Sequence, residues 1–252
     1  MVQPGTGHNS VREWITGRNP VFETLSVHRR QCFRLMLATG IDEKGVIAEI
    51  LTFARGMKIP VERVNRQKID SLGGNPQGIA LETSPYPYVD LRAILKAAEK
   101  KGEPPFILIL DTLQDPQNLG TLLRSAEAFG VHGVIIPAHS AAGVTPAVVH
   151  ASSGACEHLL IAATNLAQAI SELKQANIWV IGLDAGLDAV DIADVWLDGS
   201  LALVVGSEAE GMRPLVRRSC DTIARLPMTG HIESLNAAVS GSIALYLASR
   251  KR

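Results

Sequence analysis

Apolar and polar positions alternate along the C-terminal part of the chain as strands and helices do in a parallel sheet. From Phe106 onward, uninterrupted apolar runs, typical of strands buried on both faces, are separated by stretches with apolar residues at helical spacing. The predicted strands are FILILD, HGVIIPA, HLLIA, IWVIGLD and LALVVG, and the predicted helices lie around 119–129, 145–155 and 165–177. The alternation predicts an α/β domain over 106–252, with helices on both faces of a parallel sheet.

A shorter pattern of the same kind precedes it. An apolar strand at 33–38, an amphipathic helix at 43–57 and the later pieces IPVERVN, RQKIDSLG and GIALET predict a small α/β domain over residues 13–84. Residues 85–105 combine four prolines with a charged amphipathic helix, so we interpret them as a linker. Residues 1–12 lack the apolar core of a signal peptide and are expected to form a disordered tail.

The stretch 201–247 brings two strand ends together. The run LALVV stops at Gly206, the acidic turn GSEAEG follows, and a second apolar piece, TIARLPM, ends at a proline. Because ligands bind at the carboxyl ends of parallel strands, these two ends predict a pocket.

The last helix, opening at 234–236, has two faces by its spacing. We expect one face to pack on the core; it comprises Leu235, Ala238, Val239, Ser242, Ile243 and Tyr246. The other face is small, with Ala237, Gly241 and Ala244, and would allow close approach of a helix from a second subunit.

Composition limits the alternatives. Hydrophobic residues make up 46% of the 252 residues and aromatic residues only 4%, so the core is expected to be aliphatic. No apolar run reaches the roughly 18 residues that a membrane span needs. The three cysteines lack metal or redox spacing and predict free thiols in a reducing, cytoplasmic setting. The seven histidines show no ligand spacing, so no metal site is expected.

Charge is unevenly distributed although the net charge is only −1. Residues 1–70 hold 11 Lys and Arg against 7 Asp and Glu, an excess of 4 positive charges. Such an excess suits a basic face that pairs with nucleic-acid phosphates, and a solvated surface is the alternative. The arginines that cluster there are Arg12, Arg18, Arg29, Arg30 and Arg34.

Several polar residues stand where the predicted strands end. Asn118 could cap the following helix, while Arg124 lies off that helix's apolar face and could meet a phosphate or a ribose, or simply be a surface arginine. The GSEAEG turn lacks the Gly-Lys-Ser/Thr ending of a phosphate loop and the dinucleotide fingerprint. Its Gly206 would let a ligand approach the backbone. Ser234 could cap the last helix.

Three stretches in this order resemble the three motifs of the SpoU (TrmH-like) branch of the SPOUT RNA methyltransferases. They are DPQNLGTLLRSAEAFGVHGVII, LVVGSEAEGM and IARLPMTGHIESLNAAVSGSIAL. The N-terminal pieces GRNPVFETL, IPVERVNRQKIDSLGG and PQGIALE look like the family's small substrate-binding domain. The closest likeness is to bacterial 23S rRNA (guanosine-2′-O-)-methyltransferases. One departure is Pro76, where the family often has His, and it concerns the RNA site.

The resemblance implies S-adenosylmethionine-dependent methylation of a ribose 2′-hydroxyl in RNA, a deep trefoil knot and a homodimer. The implied catalytic residues are Asn118, Arg124, Glu208, Ser234 and Asn236. The implied cofactor-binding residues are Gly206, Gly211, Leu226, Met228 and Leu235. The arginines assigned to RNA are Arg18, Arg29, Arg30 and Arg34.

Three other functions remain open at this point. A tRNA ribose methyltransferase would share the chemistry, although such enzymes often lack a separate N-terminal domain. Methylation of rRNA that confers antibiotic resistance would differ only in the target nucleotide. A non-catalytic RNA-binding protein would keep the basic residues at 12–34 but have no cofactor affinity.

Overall fold

The computed structural model describes residues 11–139, 142–186, 188–207, 210–231 and 234–252. These residues form two compact units, divided after Pro87. Most of the predicted tail and the predicted catalytic residue Glu208 lie outside the described residues. In the part of the chain that is described, no helix has the length and apolarity to cross a membrane. The three cysteines are free thiols, as the sequence predicted.

The first unit is a four-stranded sheet with three helices. Its elements are β1 (Glu13–Thr16), α1 (Arg18–Val27), β2 (Cys32–Ala38), α2 (Val46–Gly56), β3 (Val61–Val64), α3 (Arg66–Asp70) and β4 (Ile79–Thr83). The strand order is β1-β4-β2-β3, with β2 and β3 parallel and the other pairs antiparallel. The predicted small α/β domain is therefore present.

The second unit is built on seven parallel strands in the order β7-β6-β5-β10-β8-β11-β9. Its elements are α4 (Leu91–Lys101), β5 (Phe106–Leu110), α5 (Pro116–Ala128), β6 (Gly133–Pro137), α6 (Pro146–Ala151), β7 (Ile161–Thr164), α7 (Leu166–Gln175), β8 (Trp179–Leu183), β9 (Val190–Asp191), β10 (Leu201–Val205), α8 (Pro214–Ser219), β11 (Thr222–Arg225) and α9 (Ala237–Ser249). The predicted parallel sheet is confirmed, while the short elements β9 and α8 were not predicted.

Strand register places four strand ends at one edge of this sheet. Val205, the last residue of β10, pairs with Leu110 at the end of β5 and with Leu183 at the end of β8. Ala224, near the end of β11, pairs with Leu183 in turn. The loops that follow these strands therefore emerge side by side, as ligand-binding loops do in open parallel sheets.

Helix α4, which the sequence placed in a linker, packs in the second unit. Asp90 caps its start by accepting the Ala93 N–H at 2.8 Å. Leu91 and Ile94 enter the core beside the sheet. Gly133 in β6 leaves room for Ile94, since a Cβ there would lie 2.5 Å from its side chain.

Helix α9 packs mainly with its small-residue face, and Ala238 alone is buried of the residues predicted to face the core. Its small residues are the buried ones, together with Leu245: Ala237, Ala238, Gly241, Ala244 and Ala248. A Cβ on Gly241 would lie 2.5 Å from Leu122 and 3.1 Å from Val205, so small residues are what allow α9 to approach α5 and β10. The larger side chains Val239, Ile243 and Tyr246 are 45%, 39% and 49% exposed.

Candidate active site

A cavity of about 220 Å³ lies at the edge where β8, β10 and β11 end. All five residues that the resemblance assigned to a cofactor line it, namely Gly206, Gly211, Leu226, Met228 and Leu235. Ser234, assigned to catalysis, lines it as well. The walls thus combine turn backbone with apolar side chains.

The turn after β10 closes on itself. Ser207 and Gly211 exchange two backbone hydrogen bonds of 3.0 Å, and Gly211 has φ +66°, a conformation that favours glycine. A Cβ on Gly206 would lie 2.3 to 2.5 Å from the backbone of Gly211 and Met212. Gly206 is therefore required by the turn's own packing, in addition to facing the cavity.

A buried carboxylate, which the sequence did not single out, fixes this turn. Asp111 is fully buried at the end of β5, and its side chain accepts hydrogen bonds from the backbone N and the Nε of Arg213, both at 2.8 Å. Its own N–H donates to the Val205 carbonyl at 2.8 Å. An acidic residue directly after the wholly apolar strand FILIL was the available signal.

A second carboxylate, Asp184, lines the cavity and is paired. It accepts from Arg217 Nε at 2.9 Å and from the Gly186 N–H at 3.0 Å. Arg217 also reaches Asp188 at 2.5 Å, and this hydrogen bond lowers the pKa of Asp188. Asp184 therefore forms part of one cavity wall, where the hydrogen bond from Arg217 holds its carboxylate in place.

Asn118 and Asn236, 118 residues apart, meet beside the start of α9. The Asn236 amide nitrogen donates to the Asn118 side-chain oxygen at 3.1 Å. Asn236 is also the N-cap of α9, accepting from the backbone N of Ala238 and Val239 at 2.9 and 3.2 Å. The structure thus brings together one residue from each of two predicted motifs.

Neither of the two predicted helix caps is correct. Asp115 caps α5 by accepting the Gln117 N–H at 3.0 Å, which leaves Asn118 inside the helix with its side chain directed to Asn236. Ser234 is exposed and precedes the cap of α9 by two residues.

Arg124 lies on the exposed side of α5, as its position off the apolar face predicted. Its Nη1 donates to the Ser153 hydroxyl at 3.3 Å. Gly120 allows α5 to pack closely on the end of α6, since a Cβ there would lie 2.4 Å from the Ala151 Cβ. Arg124 is not among the residues that line the cavity.

Two of the four arginines assigned to RNA are engaged inside the first unit. Arg30 is 3% exposed and pairs with Glu13 at 3.0 Å. Arg34 pairs with Glu62 at 3.2 Å and Glu82 at 3.3 Å. The predicted basic face is therefore largely neutralised here, and Arg30 is a structural residue because its charge is buried with its partner.

The other two assigned arginines are partly exposed. Arg29 donates to the Tyr86 hydroxyl and to the Pro87 carbonyl, both at 3.2 Å. Arg18 begins α1, and its backbone N–H donates to the Gln77 side chain at 3.1 Å.

Comparison with known proteins covers both units. The model of the SpoU rRNA Methylase family matches residues 105–246. A second model, described as RNA 2′-O ribose methyltransferase substrate binding, matches residues 14–89. YacO of Bacillus subtilis, which is named as a TrmH family tRNA/rRNA methyltransferase, is 41% identical. The match covers 95% of this chain and 96% of the YacO chain.

Two solved structures show how far the fold extends. The SpoU methyltransferase AviRb from Streptomyces viridochromogenes, in complex with AdoMet, matches with a TM-score of 0.81 and 24% identity. This match covers 96% of the present chain and 90% of AviRb. The A. aeolicus TrmH/SpoU tRNA modifying enzyme matches with a TM-score of 0.53 and 23% identity, covering 63% of this chain and 84% of its own.

Proposed function

Because this chain belongs to the SpoU family of RNA methyltransferases, we propose that it uses S-adenosylmethionine to methylate the ribose 2′-hydroxyl of a guanosine in 23S rRNA. The observation that carries the proposal is the cavity at the strand ends, which gathers all five residues assigned to the cofactor. Asn118 and Arg124 belong to α5, and Asn236 caps α9, whose residues Ala237 and Ser240 line the cavity.

The residues of the cavity fit this cofactor. Leu226, Met228 and Leu235 offer apolar surface to an adenine ring, and the turn backbone at Gly206 faces the same cavity. The bound cofactor supplies a methyl group already activated on a sulfonium. The protein's task is therefore to orient the hydroxyl and to manage one proton.

Arg124 carries the positioning part of that task. A guanidinium keeps its proton in proteins, so Arg124 acts as a cation rather than as a base. It holds the phosphate next to the target ribose and stabilises the charge that develops on the 2′-oxygen. Glu208, which follows Ser207 in the sequence, takes the hydroxyl proton, and Asn118, Ser234 and Asn236 orient the ribose.

The direct test replaces Arg124 with Ala. We expect turnover of rRNA substrate to fall by at least about 10²-fold, because an electrostatic contact to the reacting oxygen is lost. Cofactor affinity, measured by calorimetry, should stay near native, since Arg124 does not line the cavity. The matched control is Arg92→Ala, an exposed arginine on α4 of the same unit. Near-native methylation by the Arg124 variant would show that the assigned role is wrong.

The choice of rRNA over tRNA rests on the first unit. The matched tRNA enzyme covers only 63% of this chain, whereas the present chain carries a separate substrate-binding unit over residues 14–89. Mapping 2′-O-methyl groups in rRNA and tRNA from cells with and without the gene decides the matter. A missing mark in tRNA alone establishes the alternative, and a mark tied to drug survival identifies resistance methylation. Absence of cofactor affinity identifies a non-catalytic RNA-binding protein.

We also propose a homodimer and a knotted C-terminal path. The exposed apolar residues on α9 support the dimer, because Val239, Ile243 and Tyr246 form a stripe at helical spacing. The close packing of α9 on β10 through Gly241 supports a path in which the helix passes beside the turn at Gly206.

A further inference from the structure

The first unit contains a polar cleft of about 430 Å³. It lies between the start of α1, the end of β2 and the loop that leads into β4, and no residue of the catalytic machinery lines it. Its polar side chains are two arginines, two amides and one threonine, namely Arg18, Arg66, Asn75, Gln77 and Thr39. Among the described residues that line the cleft there is no carboxylate. Its chemistry suits an anion that also forms hydrogen bonds.

The charge in this cleft is available, unlike most of the charge around it. Beyond Arg30 and Arg34, Arg12 pairs with Glu82 at 3.5 Å and Arg63 with Glu43 at 2.7 Å. Among the residues that the structure describes, the Arg18 side chain has no such pair, and its Nε is buried without a hydrogen-bond partner.

Arg66 is the second available cation. It lies 3.7 Å from Asp70, but both side chains are largely exposed, at 69% and 49%, so the pair holds the guanidinium weakly. Two of the positive charges that the sequence shows in residues 1–70 are therefore available at this cleft.

The loop that bounds the cleft is held in one conformation. Gln77 has φ +54°, unusual for a residue with a side chain, and its Oε1 accepts the Arg18 N–H at 3.1 Å. Gly78 follows with φ +79° and packs on Ile41 and Ala38, to which a Cβ would come within 3.2 and 3.3 Å. Backbone strain that the surroundings hold in place is a feature of binding sites. The cleft is thus formed before a ligand arrives.

We propose that this cleft binds an unpaired nucleotide of the substrate RNA, with its phosphate between Arg18 and Arg66 and its base edge at Asn75 and Gln77. Amide side chains can both donate and accept hydrogen bonds. They therefore suit the edges of unpaired bases, which in a duplex would be bonded to the opposite strand. Among the described lining residues there is no aromatic ring, so recognition proceeds through hydrogen bonds rather than stacking. The choice of RNA as ligand rests on the proposed function.

The test uses the full chain and fluorescence anisotropy. The probes are a labelled single-stranded RNA of about 12 nucleotides and a blunt RNA duplex of the same sequence. Arg18→Gln and Arg66→Gln, singly and together, are compared with Arg55→Gln, which removes an exposed charge from α2 outside the cleft. Circular dichroism checks that each variant folds. S-adenosylmethionine affinity is measured in parallel as a readout of the second unit.

We expect the double variant to bind single-stranded RNA at least about tenfold more weakly. The slope of log affinity against log salt should fall by about 0.7, the effect of one lost phosphate contact on a single strand. Arg55→Gln should change affinity less than twofold, and cofactor affinity should not change in any variant.

Three results would overturn the cleft assignment: unchanged RNA affinity in the double variant, an equal loss in Arg55→Gln, or an equal loss for the duplex. Failure of the proposed function has a different signature. In that case the native chain methylates no RNA, while the cleft variants still lose affinity for the single strand.

Discussion

Asp111 shows how one buried charge can set the geometry of a ligand site. Its carboxylate is fully buried, yet both oxygens accept hydrogen bonds from Arg213, one of them from the backbone. It therefore joins the end of β5 to the turn that begins at Gly206.

Replacing Asp111 with Ala should lower the free energy of unfolding by about 2 kcal/mol, because the Arg213 backbone N–H loses its buried acceptor, whereas the guanidinium, 45% exposed, is solvated. Cofactor affinity should fall as well, since the turn loses its anchor. Urea denaturation and calorimetry measure the two effects. Asp188→Ala is the control, as it removes an exposed carboxylate that is also paired with an arginine and should change stability little. Equal stability losses in the two variants would contradict the role of Asp111.

His132 gives a residue-scale dependence of stability on pH. Burial lowers the pKa of His132, outweighing the hydrogen bond to Glu103 that raises it. Its Nδ1 accepts the Phe106 N–H at 3.0 Å, which requires the neutral ring. Because the folded pKa lies below the unfolded value of about 6.5, the unfolded chain binds the proton more readily. This contribution to stability is complete above that value and is lost as pH falls below it.

His132→Asn should make stability less sensitive to acid, since Asn offers an acceptor that does not titrate in this range. Thermal unfolding is compared at about pH 7.5 and about pH 5.5. The melting temperature of the native chain should fall further on acidification than that of the variant, although the variant is less stable at the higher pH. Parallel losses would show that His132 does not control the acid response.

At the scale of elements, α9 shows what spacing alone cannot decide. The helix is apolar on nearly every side, so periodicity does not say which side faces the core. The close approach to α5 and β10 selects the small residues for the interior and leaves Val239, Ile243 and Tyr246 outside. The ring of Tyr246 packs against that of the partly buried Phe129, with the two centroids 5.7 Å apart. An apolar stripe of this kind is expected to meet another chain.

Ile243→Glu should convert a dimer to a monomer, because it places a charge in the middle of that stripe. Leu215→Glu is the matched control: Leu215 is 58% exposed on α8 and receives the same charge. Sedimentation velocity reports the mass of each variant. A native chain that is already monomeric, or an Ile243 variant that stays dimeric, would exclude α9 as the interface.

At the scale of elements, the sequence could predict the strands but not the ion pairs between distant residues. Parallel strands were predictable because FILIL and LALVV are apolar without interruption, as strands covered on both faces must be. The strand ends that form the cavity followed from that assignment. The contact of Asp111 with Arg213 spans 102 residues, and no local pattern carries a pairing at that distance. The ion pairs of Arg30 and Arg34 were missed for the same reason, since charge counts do not show partners.

At the scale of the molecule, each of the two units has its own buried core. The tryptophans are divided between them, with Trp14 in the first unit and Trp179 and Trp196 in the second. A cofactor bound only at the cavity would stabilise only the second unit, since stabilisation follows binding to the folded state.

Urea unfolding should therefore show two transitions. Trp14→Phe reports the second unit, and the double variant Trp179→Phe, Trp196→Phe reports the first. S-adenosylmethionine at about 100 times its dissociation constant should add about 2.7 kcal/mol to the second unit and leave the first unchanged. A single midpoint that shifts equally with both probes would contradict this independence.

The packing around Gly206 bears on how loss of activity could be recognised among relatives of this chain. The space that a side chain would take there is filled by the backbone of Gly211 and Met212. A pseudoenzyme descended from this fold would keep that glycine for as long as it kept the turn. Retention of Gly206 is therefore poor evidence of surviving catalysis. Substitutions that remove activity would appear first at exposed residues that folding does not require, such as Arg124.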